Sequence, residues 1–349
     1  MKFLINYAVL AMLVKLTSGE EACKNNIVVF GDSLSDTGNL FGLTGAALPP
    51  TVAYDSGRFT NGKIWVEYLA ELMELETPTP FYASANPGTN YAIAGAASGD
   101  DATTAWQPVL LPPGNVITLP SKGLRLQTED FLAANEGICS SEMLFVIWSG
   151  AVDFAILGNG PEFNGIIENI KDSIEDLIAV GGNKFLVLNL PPIADSPGAI
   201  GTYTSLFFKD NLPADLDGDV QSFNAGLKDM LKSVDEKNDD AIITHVDVVP
   251  LFNEVASNPA KFGIALDTGI PTLSEADLHL KEALVFINAE NALWYDGIHP
   301  TSTFHNVVAE KVYKVLKGIK GKKGKKGSKS KGIKDPKGPK SPKRRKSAK

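Results

Sequence analysis

The chain has 349 residues, 44% hydrophobic and 21% charged, which is too apolar for a disordered polymer and long enough to bury a large core. No apolar stretch reaches the roughly 18–20 residues of a membrane-spanning helix, and the two cysteines, Cys23 and Cys139, exclude a disulfide-dense scaffold and any CxxC zinc or redox pair. The net charge of −8 conceals an asymmetry: residues 317–349 carry +15 and residues 1–316 carry −23, so the body repels nucleic acid and no specific nucleic-acid partner is expected.

Along the chain, Lys2 precedes an apolar run from Phe3 to Val14, closed by Lys15 and followed by the small polar Thr17, Ser18 and Gly19. This pattern predicts a secretory signal peptide over residues 1–19, and hence a secreted, extracellular protein. An oxidising destination permits a Cys23 to Cys139 disulfide; two free, buried thiols are the equal alternative. Short apolar runs then follow at Ile27 to Phe30, Met143 to Trp148, Phe185 to Leu190 and Ile242 to Val246, separated by stretches of helical period. Ile166, Ile167, Ile170, Ile174, Leu177 and Ile178 share one helix face, which stops at Gly181 and Gly182 and feeds the Phe185 run. Val220, Phe223, Leu227, Met230, Leu231 and Val234 do the same ahead of Ile242. That order predicts the α/β class, a parallel sheet covered by helices, in one domain over residues 20–316.

Between Ala46 and Pro120 the abundance of Pro, Gly, Ala, Ser and Thr predicts long loops over one end of the sheet. Trp65, Tyr68, Trp106 and Trp294 suit an apolar cleft or the core, the core being the commoner place for such side chains. A terminal helix carries Val307, Val308, Val312 and Val315. Beyond it, residues 317–349 are too polar to repay the entropy of ordering, and a disordered Lys-rich tail suited to a polyanion or an anionic surface is expected.

Chemistry concentrates at two places. The first strand ends abruptly in Gly31-Asp32-Ser33-Leu34-Ser35-Asp36-Thr37-Gly38-Asn39. A serine just past a buried strand stands where α/β sheets expose reactive groups, and a following helix is expected to aim its N-terminal amides at Ser33. Near the other end, Trp294-Tyr295-Asp296-Gly297-Ile298-His299-Pro300-Thr301 sets an acid and an imidazole three residues apart on a turn. A hydroxyl nucleophile needs a base, and the base needs a carboxylate to fix its tautomer. Alone, the first segment reads equally well as a helix cap, and the second reads better as a surface turn with a helix cap. His245, His279 and His305 read as packing or capping residues. No His, Asp and Glu spacing suits a metal, and neither a GxGxxG nor a GxxxxGK[ST] loop occurs, so no metal or cofactor is expected.

Taken together, GDSLSDTGN and DGIHPT at opposite ends of one body resemble the SGNH hydrolases, also called the GDSL lipase/esterase family. Ser56 to Ala70 (SGRFTNGKIWVEYLA), Asn90 to Ala96 (NYAIAGA), Asn189 to Pro197 (NLPPIADSP) and Phe223-Asn224 look like the matching segments of its plant-lipase-like and hemolysin-like branch. The resemblance covers most of residues 26–316. It implies a three-layer α/β/α sandwich with a flavodoxin-like parallel sheet, and a serine esterase or lipase working through an acyl-enzyme. Ser33 is then the nucleophile, His299 the general base and later acid, and Asp296 the orienting carboxylate. The backbone amides of Ser33 and Gly95 are the implied oxyanion donors. Lipids, acetylated glycans and other small-molecule esters are all substrates of that family, and a monomer is expected.

One departure stands out. Where the family has Gly-x-Asn-Asp, this chain reads Gly150-Ala151-Val152-Asp153, and valine donates nothing. Losing one side-chain oxyanion donor costs roughly 100-fold to 1000-fold in turnover. The alternative is therefore a catalytically weakened SGNH-fold protein that binds glycan or lipid and is anchored by its basic tail. An α/β-hydrolase is disfavoured because no GxSxG elbow occurs.

Overall fold

The computed structural model describes residues 26–83, 87–100, 109–111, 115–117, 122–135, 142–155, 163–199, 215–264 and 292–326. The leader, Cys23, Trp106, Cys139, His279 and residues 327–349 lie outside them. In chain order the elements are β1 (Ile27–Gly31), α1 (Asn39–Leu43), α2 (Trp65–Met73), the short antiparallel pair β2 (Val109–Leu111) and β3 (Asn115–Ile117), and α3 (Leu124–Ala134). Then come β4 (Leu144–Trp148), α4 (Ala151–Ala155), α5 (Asn164–Ala179), β5 (Lys184–Leu188), α6 (Leu216–Lys237), β6 (Ile242–Val246), α7 (Val249–Ser257) and α8 (Ser302–Lys326).

The main sheet is parallel in the order β1-β4-β5-β6, with Ile27 beside Leu144, Phe145 beside Phe185 and Phe185 beside Ile243. Residues 89–93 run along the free edge of β1, with Val29 N donating to Thr89 O and Tyr91 N to Val29 O. Strands buried on both faces need continuous apolar runs, and IVVFG, LFVIW and KFLVL are such runs. Alternation then sorts their side chains into two layers. Ile27, Val29, Val146, Trp148, Leu186 and Leu188 face α2, α7 and α8. Val28, Phe30, Phe145, Ile147, Phe185 and Val187 face α3, α5 and α6. This is the three-layer α/β/α arrangement expected from the resemblance.

Two details differ from the sequence reading. The segment from Ala46 to Pro120 is not loop throughout: Trp65, Val66, Leu69 and Ala70 form the apolar stripe of α2, buried against the sheet and α8. Nine residues are too few for their period to stand out from the loops around them, and the helix is held by that burial rather than by propensity. Helix α8 also continues to Lys326, past Leu316, so the lysine-rich stretch begins inside it. Of the aromatics left between core and cleft, Trp65 is fully buried edge-on to Trp148, while Tyr68 and Trp294 pack partly buried on the same layer.

Candidate active site

The carboxyl ends of β1 and β4 meet at Gly31 and Trp148. Gly31 has φ 144°, and a Cβ there would lie 2.1 Å from Trp148 O, so no other residue fits. Gln127 of α3 clamps its peptide, accepting from Gly31 N at 2.8 Å and donating to Gly31 O at 2.8 Å. The chain then turns sharply and presents Ser33, half-buried, beyond the sheet. The helix expected directly after Ser33 is not formed; Ser33 lies in a turn closed by Ser35 N to Asp32 O and Leu34 N to Asp32 Oδ1, and α1 starts only at Asn39. Asp32 and Asp36 compete for the backbone amides here, which favours turn over helix.

Asp36 organises the next layer. Its buried carboxylate accepts from Gly38 N (2.7 Å), Asn39 N (2.6 Å), Leu40 N (3.1 Å) and Ala94 N (2.9 Å), tying the serine turn to the segment that carries Gly95. Asn90 adds a second tie, donating to Ser35 O at 2.7 Å. Gly95 takes a left-handed φ of 82°. Its neighbours Ala94 N and Ala96 N are both engaged, whereas the N–H groups of Gly95 and Ser33 have no hydrogen bond among the described residues. These are the two amides implied as oxyanion donors.

The acid and the imidazole arrive on a small hairpin in which Trp294 pairs with Pro300 and Tyr295 N donates to His299 O. Asp296 is fully buried; its Oδ1 accepts from Ile298 N (2.8 Å) and His299 N (2.6 Å). Its Oδ2 lies 2.7 Å from His299 Nδ1, and His299 Nε2 lies 2.7 Å from Ser33 Oγ. With Nδ1 protonated and donating to Asp296, Nε2 is an acceptor aimed at the serine hydroxyl. The structure thus brings Ser33, His299 and Asp296 into one hydrogen-bonded line across 266 residues of chain.

Sequence reasoning missed the residues that hold this line. Tyr54 donates to Asp296 Oδ2 at 2.8 Å, and the Phe59 ring packs 5.1 Å from that of His299. Phe59 lies within the quoted SGRFTNG block and Tyr54 two residues before it, yet nothing local connects position 54 to 296. Asn224, quoted only as part of a resembling pair, clips α6 to the end of β5, accepting from Leu190 N and donating to Leu190 O, each at 2.9 Å.

Beyond the carboxyl end of β4, Val152 is buried in α4. Next to it Asp153 accepts from Ser98 N (3.0 Å) and Ser98 Oγ (2.9 Å). Burial pushes Asp153 up to about 6 and Asp32 up to about 7, the latter near Asp153 and His299. His305 on α8 is pushed down to about 3 by burial, with His299 adding to the shift, so it stays neutral at ordinary pH. The Oγ of Ser149 and Oδ2 of Asp32 are buried with no partner among the described residues. Those residues contain no group of three His, Cys, Asp or Glu placed to hold a metal ion.

The chain is similar in sequence to known proteins. The family model for GDSL-like lipase/acylhydrolase matches residues 27–312. Two GDSL esterase/lipases of Arabidopsis thaliana are similar to the chain: one is 23% identical over 89% of this chain and 88% of its own length, the other 28% identical over 86% and 91%. A phosphatidylcholine-sterol acyltransferase of Aeromonas hydrophila is 27% identical over 50% of this chain and 47% of its own.

Proposed function

The chain belongs to the GDSL-like lipase/acylhydrolase family, a family of ester hydrolases, and on that premise we propose that it is a secreted serine esterase acting through an acyl-enzyme on Ser33. The observation that carries this reading is the line from Ser33 Oγ through the His299 ring to Asp296, with two 2.7 Å contacts. Ser33 Oγ passes its proton to His299 Nε2 and attacks the ester carbonyl carbon. The resulting oxyanion is met by the amides of Ser33 and Gly95. His299 then returns the proton to the departing alkoxide, leaving Ser33 acylated and an alcohol released. Water, deprotonated by His299, attacks the acyl carbon; the carboxylic acid leaves and Ser33 regains its proton.

An acyl-lipid substrate is supported by the name of the Aeromonas relative, and acetylated glycans suit the same chemistry. The leader supports export, and the +15 of residues 317–349 supports attachment to a polyanion by counterion release. The second reading, an SGNH-fold glycan- or lipid-binding protein, is favoured by one observation, the buried Val152 where a donor is expected.

Hydrolysis of a short-chain aryl ester separates the two readings. The parent is expected to turn the ester over, Ser33→Ala to lose at least about 1000-fold, and an organophosphonate probe to label Ser33 alone. A parent with no Ser33-dependent turnover belongs to the binding reading. Removing residues 327–349 is expected to weaken low-salt binding to an anionic polysaccharide and to leave hydrolysis of a soluble ester unchanged.

A further inference from the structure

The acid–base hairpin is gripped by a segment 242 residues earlier in the chain. Tyr295 OH donates to Ala53 O, Thr60 Oγ1 donates to Pro300 O at 2.8 Å, and Asn61 Oδ1 accepts from Ser302 N at 2.8 Å. Inside this clasp Tyr54, 5% exposed, packs on Phe59 and edge-on to Tyr295, with ring centroids 5.6 and 5.5 Å apart. The segment is itself braced by Arg58, which pairs with both oxygens of Glu67 on α2 at 2.6 and 2.7 Å. Nothing in this bracing requires a hydroxyl on Tyr54: the ring alone fills the space.

We propose that Tyr54 is a positioning residue for the acid–base pair, its hydroxyl holding Asp296 Oδ2 in place and moderating how strongly that oxygen retains a protonated His299. The geometry is specific, because Tyr54 OH and His299 Nδ1 approach the same carboxylate oxygen, at 2.8 and 2.7 Å. A donor on that oxygen withdraws charge from it, which weakens its pull on the imidazolium, and removing the donor strengthens that pull. Burial, and after it Asp296, hold the Tyr54 phenol well above its ordinary range, so it stays a donor throughout the working pH. Among the described residues, Asp296 on its own hairpin, Asp32 beyond β1 and His305 on α8 are the other titratable groups near the His299 ring, and Tyr295 packs on Tyr54. These are the same in a Tyr54 variant and cancel in a comparison with the parent.

The inference rests on the esterase reading, and two variants, read beside the parent's own turnover, separate the two. Tyr54→Phe keeps the ring and is expected to lower kcat by about tenfold with KM little changed, as for loss of one hydrogen bond to a charged group. The acid limb of its kcat/KM profile should move to higher pH by about half a unit. Tyr295→Phe, which loosens the clasp without removing a donor to Asp296, should leave that limb in place. Should Tyr54→Phe melt far below the parent, the pH dependence of organophosphonate labelling, read on the folded fraction, reports the same limb. An acid limb that is unmoved in Tyr54→Phe, or that moves equally in Tyr295→Phe, overturns the positioning role while Ser33-dependent turnover of the parent keeps the esterase reading. A parent without that turnover removes both.

Discussion

The two flanks of Ser33 are furnished very differently. On the imidazole flank the Asp296 carboxylate accepts four hydrogen bonds, three from its own hairpin and one from Tyr54, 242 residues earlier in the chain. On the β4 flank Val152 stands where the family the chain resembles has an asparagine, Ser149 Oγ and Asp32 Oδ2 find no partner among the described residues, and burial drives two carboxyls toward their neutral form. On the proposed mechanism, proton transfer is served by the heavily bonded flank, whereas the developing oxyanion is left to the amides of Ser33 and Gly95. The contrast can be tested from either side.

The largest effect should come from breaking the well-furnished flank. Asp296→Asn puts an amide where four donors converge, so it favours the wrong ring tautomer and leaves donors facing donors. Turnover of an aryl ester is expected to fall by about 10⁴-fold with the fold retained. A fall below tenfold would mean that this flank is scaffolding and that the rate is set elsewhere. Repairing the other flank should have a smaller and opposite effect. Val152→Asn supplies a donor of the type the family uses, and kcat should rise by about tenfold or more, with KM nearly constant because the tetrahedral anion benefits more than the ground-state carbonyl. A folded variant with unchanged kcat would show that another group already fills the position.

The contrast also explains what was legible in the sequence. The layers were readable because strands buried on both faces must be apolar throughout, and because Ile166 to Ile178 and Val220 to Val234 keep a helical period. Ser33, Asp296 and His299 stood out because their two segments occur in one chain and together resemble one family's, although either alone reads as a capped turn. Helix α2 was not, since its stripe spans barely two turns within a Pro- and Gly-rich region. The turn after Ser33 was misread as a helix start because Asp32, Ser33 and Asp36 cap helices and close turns by the same hydrogen bonds. Tyr54 was invisible for another reason: its role exists only once the loop and the hairpin are brought together by Thr60, Asn61 and Tyr295, and sequence spacing carries no record of that contact.

The smallest effect probes the sparsely furnished flank through stability. Asp153 is buried beside Val152, and its bonds from Ser98 do not offset burial, which lifts it from 3.8 to about 6. Between those two values the folded protein keeps a proton that the unfolded chain has released. This contribution to stability is therefore complete below pH 3.8 and lost as pH rises through 6, with roughly 1 kcal/mol of the loss falling between pH 5 and 8. Asp153→Asn removes the titration while keeping the contacts: its carbonyl accepts from Ser98 N, and its amide donates to Ser98 Oγ, which also accepts from Asn169 Nδ2 at 3.0 Å. Urea unfolding at pH 5 and pH 8 should show a smaller difference for the variant than for the parent. Asp32, pushed up to about 7 mainly by burial and in part by the Asp153 charge, loses that part in the variant, which narrows the pH difference in the same direction. An identical pH difference in the two would place the Asp153 proton outside the folding equilibrium, leaving Asp32 as the only carboxyl of this flank that couples stability to pH.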